Sequence, residues 1–218
     1  MKNILILLVI AAAFAACKSK SKNTVNTTDN ATIKTDSNKT SAHSAGVNSS
    51  ADTAGFDINK IPVTDKDLGG FPYLKPPAPY SYNYQDDISA KNIKSADKEY
   101  FAINGKLTPV EGKTYKINIE RSRSDGKRFN AAEVEKSFTT TIDSLGGIQV
   151  NDVPVPQTEI KRIGNAELID KQYGSSIDMN VLDEIKTFVI RTKNKQIWIQ
   201  FTLMNEESGK ITVLEKAN

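Results

Sequence analysis

Residues 185–215 read IKTFVIRTKNKQIWIQFTLMNEESGKITVLE, which is three apolar segments separated by two short polar turns. The middle segment, residues 196–204, alternates between two faces. One face carries the aliphatic and phenyl side chains Ile197, Ile199, Phe201 and Leu203. The other carries Trp198, Gln200, Thr202 and Met204. Alternation with a period of two is typical of a strand between two different environments. This stretch therefore predicts three antiparallel strands in a meander.

A second strand pair is predicted before this meander. Asn104-Gly105 lies between the apolar segments 100–103 and 106–110, and this dipeptide favours the type I′ turn of a tight hairpin. Pro109 cannot donate a hydrogen bond, so it is expected at an edge or a bulge. Residues 113–120 alternate strictly and predict a further strand.

One helix is predicted clearly after these strands. Asn130 is a good N-cap, and Glu133 three residues later completes a capping-box-like pair. Gly146 supplies a left-handed C-terminal cap. The apolar stripe at helical spacing consists of Val134, Phe138, Ile142 and Leu145.

The order of elements predicts the fold class. A short strand at 148–150 and a weaker helix over 159–173 separate the first helix from the final meander. Strands, helix, strand, helix and strands in this order indicate an α+β domain over residues 98–218. We expect a mainly antiparallel sheet with the helices packed on one face.

Residues 55–97 form a proline- and tyrosine-rich segment that predicts an extended strap in front of this domain. If helices cover one face of the sheet, the strap covers the other face or a partner does. We favour strap rings packed over Trp198. The alternative is a partner-binding surface, because aromatic rings and methionine make adaptable contacts. Its candidate residues are Trp198, Met204, Tyr80, Tyr82 and Tyr84.

The N-terminal 54 residues predict a location. Residues 1–16 have the basic start, apolar core and small-residue end of a secretory signal peptide. Phe14-Ala15-Ala16-Cys17 resembles a bacterial lipobox, although Phe14 stands where leucine is usual. The resemblance implies a lipoprotein whose acylated Cys17 anchors it to a membrane. The alternative is an ordinary signal peptide in which the cysteine has no such role.

Residues 17–54 are expected to form a disordered tether, because they are rich in Ser, Thr and Asn and poor in large apolar side chains. Lys18-Ser19 lacks the aspartate that resembles an inner-membrane retention signal, so we expect the outer membrane. Whether the domain faces the periplasm or the cell surface is left open.

Charge argues against a nucleic-acid partner. The chain has 29 basic and 26 acidic side chains, of which six basic and three acidic ones precede residue 55, so 23 of each remain in the folded part. Residues 121–128 include four basic side chains, which we interpret as a solvated loop rather than an anion site.

Several short segments of residues 56–218 resemble the N-terminal region of certain OmpA-family envelope proteins. They are Asp57 to Val63, Leu68 to Leu74, Val110 to Lys113, Leu145 to Gly147, Tyr173 to Ser176, Ile197 to Gln200 and Thr212 to Lys216. In those proteins the last strand leads into a peptidoglycan-binding domain, which this sequence does not contain. The resemblance implies an envelope location and a similar fold, and it transfers no active site.

The residue inventory argues against common catalytic chemistry. Cys17 and His43 precede the folded part, so residues 55–218 offer no Cys–His or Ser–His nucleophile and no imidazole metal ligand. The adjacent acidic pairs rarely converge on one site, because neighbouring side chains point in different directions; they are Asp86-Asp87, Asp183-Glu184 and Glu206-Glu207.

We therefore expect a non-catalytic envelope lipoprotein without metal or cofactor, whose α+β domain has a binding or a structural role. If it binds, the expected partner is an envelope protein or a glycan. The alternative is an envelope hydrolase that uses carboxylates or a Ser–Lys pair. The two differ in whether the fold brings such groups together in a concave pocket.

Overall fold

The structure, a computed structural model, describes residues 55–83 and 88–218. The predictions made for the signal peptide, Cys17, the tether and Tyr84 lie outside these residues, as does the pair Asp86-Asp87. No helix in the described part is long and apolar enough to span a membrane.

Over residues 55–83 and 88–218 the chain forms seven strands, two α-helices and four short 3₁₀- or π-helical segments. The elements are β1 (Tyr80–Tyr82), β2 (Ile93–Ile103), β3 (Lys106–Arg121), α1 (Ala131–Ser144), β4 (Ile148–Asn151), α2 (Gln157–Ile163), β5 (Ile185–Arg191), β6 (Lys195–Met204) and β7 (Ser208–Ala217). The strand order is β1-β3-β7-β6-β5-β4, and β2 pairs with β3. All pairs between these strands are antiparallel, and one isolated parallel bridge joins Val63 to Arg191 of β5. The predicted α+β class with a mainly antiparallel sheet is confirmed.

The C-terminal meander and α1 form one half of the core, as predicted. β6 lies between β5 and β7, with Ile199 opposite Phe188 and Val213. Its aliphatic face packs in one buried cluster with the stripe of α1, which contributes Val134, Phe138 and Ile142. The N-cap also forms as predicted, since the Asn130 side chain accepts a hydrogen bond from the Glu133 N–H at 3.3 Å.

The predicted hairpin is present, but its strands are longer than the sequence indicated. Asn104 and Gly105 have φ angles of 47° and 76°, as a type I′ turn requires. Residues 106–110 and 113–120, predicted as separate strands, form the continuous strand β3. At Pro109, β3 pairs with β2 on one side and has no strand on its other side, because β7 pairs with β3 only from Lys113 onward. Pro109 therefore lies at an edge, as predicted.

The hairpin crosses the sheet face opposite α1. The Asn104 N–H donates to the Val150 carbonyl at 3.0 Å, and the Gly105 N–H donates to Asn151 Oδ1 at 2.7 Å, so the hairpin tip reaches β4. Gly112 allows the close approach that this path needs, since a Cβ there would lie 2.3 Å from the Glu215 carbonyl oxygen. The second face is therefore covered by the protein's own hairpin.

Buried side chains fill the space under the hairpin. Phe101 and Ile103 of β2 pack with Val189, Trp198 and Leu214 of the sheet. The short helix α2 belongs to a neighbouring cluster, where its Ile160 packs with residues of β2, β3 and β5 rather than with α1. The second layer thus consists mainly of strands.

A buried glutamine links the hairpin to the sheet. Gln200 Oε1 accepts hydrogen bonds from the Ala102 N–H at 2.6 Å and the Thr187 hydroxyl at 2.9 Å. Its Nε2 donates to the Tyr100 carbonyl at 3.1 Å and the Ser176 hydroxyl at 3.0 Å. All four polar positions of this amide are satisfied inside the protein.

The C-terminal part of the β2 edge that points away from β3 is also satisfied. Along this edge the N–H of Tyr100 donates to the Tyr173 carbonyl at 2.8 Å, and the next two outward N–H groups donate to Gln200 Oε1 and to the Val150 carbonyl. These acceptors come from a loop, a side chain and β4, in place of a neighbouring parallel or antiparallel strand.

The segment predicted as a strap is part of the fold. It contributes β1, whose Tyr80 pairs with Arg121 of β3, and it also contains the first residues of β2. Four of its side chains are buried in the same cluster as α1: Leu68, Leu74, Tyr80 and Tyr82. The predicted boundary at residue 98 therefore falls inside a strand.

Candidate functional site

Three of the predicted partner-binding residues are buried, and the prediction is wrong for them. Trp198 is 4 % exposed, Tyr80 is 5 % exposed and Tyr82 is 3 % exposed. Trp198 is covered by Phe56 of the strap and by Phe101 of β2, at ring centroid distances of 5.6 and 5.5 Å. The favoured prediction that a strap ring packs over Trp198 is therefore confirmed, although the ring is that of Phe56 and not of a tyrosine. Alternation along β6 identifies two faces but does not reveal which residues cover them.

The tyrosines have structural partners of their own. The Tyr80 hydroxyl donates to Glu133 Oε2 at 2.7 Å, which ties β1 to the first turn of α1. The Tyr82 hydroxyl donates to the Leu74 carbonyl at 3.2 Å. Met204 differs from the other described candidates because it is half-buried and lines a surface cavity of about 520 Å³ at the end of β6.

A cavity of about 470 Å³ lies where β3 passes from β2 to β7. We call it the lysine cavity, because the side chains of Lys91, Lys94, Lys116 and Lys210 line it. Lys94 comes from β2, Lys116 from β3 and Lys210 from β7. Amide and hydroxyl side chains complete much of the wall: Asn83, Asn92, Asn118, Gln172, Thr114 and Ser175.

Strand geometry explains why these side chains meet. Thr114, Lys116 and Asn118 are alternate residues of β3 and therefore share one face. Lys210 of β7 is directly opposite Asn118 in the strand register. This part of the sheet face lines the cavity, whereas the hairpin covers the face at Val189, Trp198 and Leu214.

Lys116 lies at the centre of a charged cluster beside the cavity. Its Nζ is 3.0 Å from Asp97 Oδ2 and 2.8 Å from Glu99 Oε2. It also donates a hydrogen bond to the Gln172 carbonyl at 2.8 Å. Asp97 and Glu99 are two residues apart on β2, so their carboxylates point to the same side.

Glu99 is the unusual group in this cluster. Its side chain is 0 % exposed, and burial raises the pKa of its carboxyl to about 7 against the opposing effect of Lys116. Oε1 accepts a hydrogen bond from the Tyr100 N–H at 3.1 Å. Oε2 lies 2.8 Å from the Lys116 ammonium, and Lys116 is its one ion-pair partner among the described residues. A buried carboxylate is costly when its compensating cation is drawn away.

Asp97 behaves differently. Burial opposes its ionisation, but hydrogen bonds and charge from Lys116 and Lys94 outweigh burial and lower the pKa of Asp97. Lys94 Nζ lies 3.2 Å from Asp97 Oδ2. Asp97 is therefore ionised at neutral pH, whereas Glu99 is poised between its two protonation states.

The charges around the lysine cavity leave it positive. Four lysine ammonium groups line it, and three carboxylates contact those lysines: Asp97, Glu99 and, at 2.9 Å from Lys210, Asp178. Over these described residues one positive charge is in excess when Glu99 is ionised, and two are in excess when it is protonated. The cavity therefore favours an anionic group.

Other charged features identified in the sequence are engaged elsewhere. Arg121 pairs with Asp125 at 2.6 Å, and Arg128 pairs with Glu206 at 2.7 Å, which agrees with the interpretation of residues 121–128 as a loop rather than an anion site. Within the described ranges, no group of three Asp, Glu, His or Cys side chains is arranged to hold a metal ion.

The sequence analysis did not predict the pair of carboxylates that meets at Lys116. We considered adjacent acidic pairs, but the two that meet are Asp97 and Glu99, separated by one residue. Alternating acidic residues on a predicted strand are the signal that identifies them, because such residues share a face. Their meeting with Lys116 depends on the pairing of β2 with β3.

No known family description, curated protein sequence or solved structure matches this chain. The resemblance to the N-terminal region of OmpA-family envelope proteins thus stays a prediction.

Proposed function

We propose that this protein is an envelope lipoprotein, anchored at the outer membrane through Cys17, whose α+β domain binds an anionic group of a protein or glycan partner in the lysine cavity. The observation that carries the binding part is the grouping of four lysines from three strands and a preceding turn around one cavity. The lipobox-like sequence at residues 14–17 supports the anchor.

The chemistry of the cavity suits a polar, charged ligand. Lysine ammonium groups are donors without acceptors, so they select carboxylate, phosphate or sulfate oxygens. The neighbouring amide and hydroxyl side chains both donate and accept, which suits the hydroxyl or amide groups that accompany the charge on a glycan or peptide. Ile117 is the one large apolar residue at this wall, and its side chain points to the other face of β3, where it is buried in the cluster with α1.

A hydrolase is the second candidate, because Asp97 and Glu99 converge on Lys116 and a carboxyl with a pKa of about 7 suits general acid–base chemistry. A general acid or base must reach the proton that it transfers. The Glu99 side chain is fully buried behind Lys116, so a ligand in the cavity meets the lysines first. We therefore place binding ahead of catalysis.

Removal of two cavity lysines should weaken anion binding. We expect the double variant Lys91→Gln/Lys94→Gln to bind sulfate about tenfold more weakly than the wild type, which corresponds to about 1.4 kcal/mol. The physical reason is the loss of two of the four cations that line the cavity. The measurement is equilibrium dialysis of the full chain with radiolabelled sulfate, in a neutral detergent and at constant ionic strength.

The matched control is Lys193→Gln/Lys216→Gln, which removes the same charge from exposed positions at the opposite end of the meander. It should leave sulfate binding within about twofold of the wild type, because exposed charges farther apart than about 10 Å are screened. Equal losses in the two double variants would show that sulfate responds to overall charge, and the cavity would not be the binding site.

Acylation at Cys17 tests the anchor. Cells that express the wild-type chain should incorporate radiolabelled palmitate into it, whereas Cys17→Ser should remain unlabelled because the thiol that is acylated is gone. Membrane fractionation should place the wild type with the outer membrane and release the variant from it. Equal labelling of both chains would contradict the lipoprotein assignment.

A further inference from the structure

We infer that the lysine cavity takes up a proton together with its anionic ligand, and that Glu99 is the group that receives the proton. This inference rests on the proposed anion-binding function and adds its dependence on pH. It would make the domain a binding module whose affinity rises as its surroundings become more acidic.

The geometry creates competition for one ammonium group. Lys116 lines the cavity, and the same Nζ atom lies 2.8 Å from Glu99 Oε2 behind it. An anion in the cavity interacts with the Lys116 ammonium, and this weakens the interaction by which Lys116 compensates the buried Glu99 carboxylate. With that compensation weakened, the neutral acid becomes the favoured form of Glu99, because an unpaired carboxylate in the interior is costly.

The other charges near Glu99 do not replace Lys116. Asp97, on the same strand, adds a negative charge, and Lys94 contacts Asp97 rather than Glu99. The residues of β7 and β6 in the same cross-strand row as Lys116 are the uncharged Thr212 and Gln200. The loop on the far side contributes the Gln172 carbonyl.

Asp97 is not the proton acceptor. It has two lysine partners, Lys94 and Lys116, so it keeps one when an anion engages the other. Its lowered pKa keeps it ionised throughout the neutral range. Glu99 has Lys116 as its single ion-pair partner among the described residues, and it is the more deeply buried of the two.

The direction of the pH dependence follows from linkage. The carboxyl of Glu99 titrates at about pH 7 in the free protein, and bound anion raises its pKa further. Below pH 7 the group is already protonated, so binding takes up little proton and affinity is high. As the pH rises above 7, each binding event must also bind a proton, and affinity falls by at most tenfold per pH unit.

The experiment measures sulfate affinity of the full chain at pH 6.5, 7.5 and 8.5, since sulfate itself does not titrate in this range. The wild type should bind sulfate about tenfold more weakly at pH 8.5 than at pH 6.5. Glu99→Gln should bind with a nearly constant affinity, close to that of the wild type at pH 6.5, because its side chain is neutral at every pH. Glu111→Gln, at an exposed position of β3, is the matched control and should retain the wild-type slope.

A second measurement needs no variant. The pKa of the Glu99 carboxyl, followed by carbon-13 NMR in the wild type, should rise when sulfate is added. Three outcomes would overturn the inference while leaving anion binding intact. They are a wild-type affinity that does not change with pH, a Glu99→Gln slope equal to that of the wild type, and a Glu99 carboxyl pKa that does not respond to sulfate. Absence of sulfate binding at every pH would instead overturn the proposed function and this inference with it.

Discussion

Gln200→Leu should lower the free energy of unfolding by about 4 kcal/mol, because it removes four buried hydrogen bonds at once. Leucine has a similar size and fills the space, so the effect comes from the groups left behind. The Ala102 N–H and the Tyr100 carbonyl lose their partner on the sheet, and the hydroxyls of Thr187 and Ser176 lose an acceptor or donor. Each unsatisfied buried group costs about 1–3 kcal/mol, and partial rearrangement of the hydroxyls reduces the sum.

The measurement is urea unfolding followed by circular dichroism. The matched control is Gln149→Leu, which makes the same substitution at an exposed position of β4. This variant should alter the free energy of unfolding by less than about 0.5 kcal/mol. A loss below about 1 kcal/mol in Gln200→Leu would show that the hairpin is held to the sheet by its apolar contacts alone.

Phe138→Ala should lower the free energy of unfolding by about 3–5 kcal/mol. The ring is fully buried between α1 and the sheet, with its centroid 5.5 Å from that of Phe201. Alanine leaves a cavity that this packed layer cannot close, so the lost transfer energy and the cavity both contribute.

The same unfolding measurement checks this prediction, with Thr140→Ala as the control. Thr140 is exposed on the same helix, and alanine is the better helix former, so its stability should stay equal or rise slightly. A Phe138→Ala loss no larger than that of the control would mean that α1 does not pack on the sheet through this side chain.

Local patterns were sufficient to predict several individual elements. Asn104-Gly105 predicted the hairpin turn, Asn130 with Glu133 predicted the start of α1, and alternation in residues 196–204 predicted β6. Each of these signals depends on residues close together in sequence, whose backbone preferences act before any tertiary contact forms.

The second layer and the site depend on contacts between distant residues. Nothing around Gly112 in the sequence reveals that β3 continues through it and leaves β7 at that point. The burial of Trp198 follows from this path, and so does the meeting of Glu99 with Lys116. The burial of Trp198 and the contact of Glu99 with Lys116 both depend on the pairing register between separate strands. That register is set by the fold as a whole.

The outer edge of β2 has a consequence for the behaviour of many copies of the chain at one surface. A bare strand edge is a template for pairing with another molecule, and crowded molecules encounter such templates often. Because the outward N–H groups of Tyr100, Ala102 and Asn104 already have acceptors within the protein, this part of the edge offers no ladder for a second chain to extend. The domain is thereby protected against edge-to-edge aggregation at the end of β2 that leads into the hairpin turn, even at high local density.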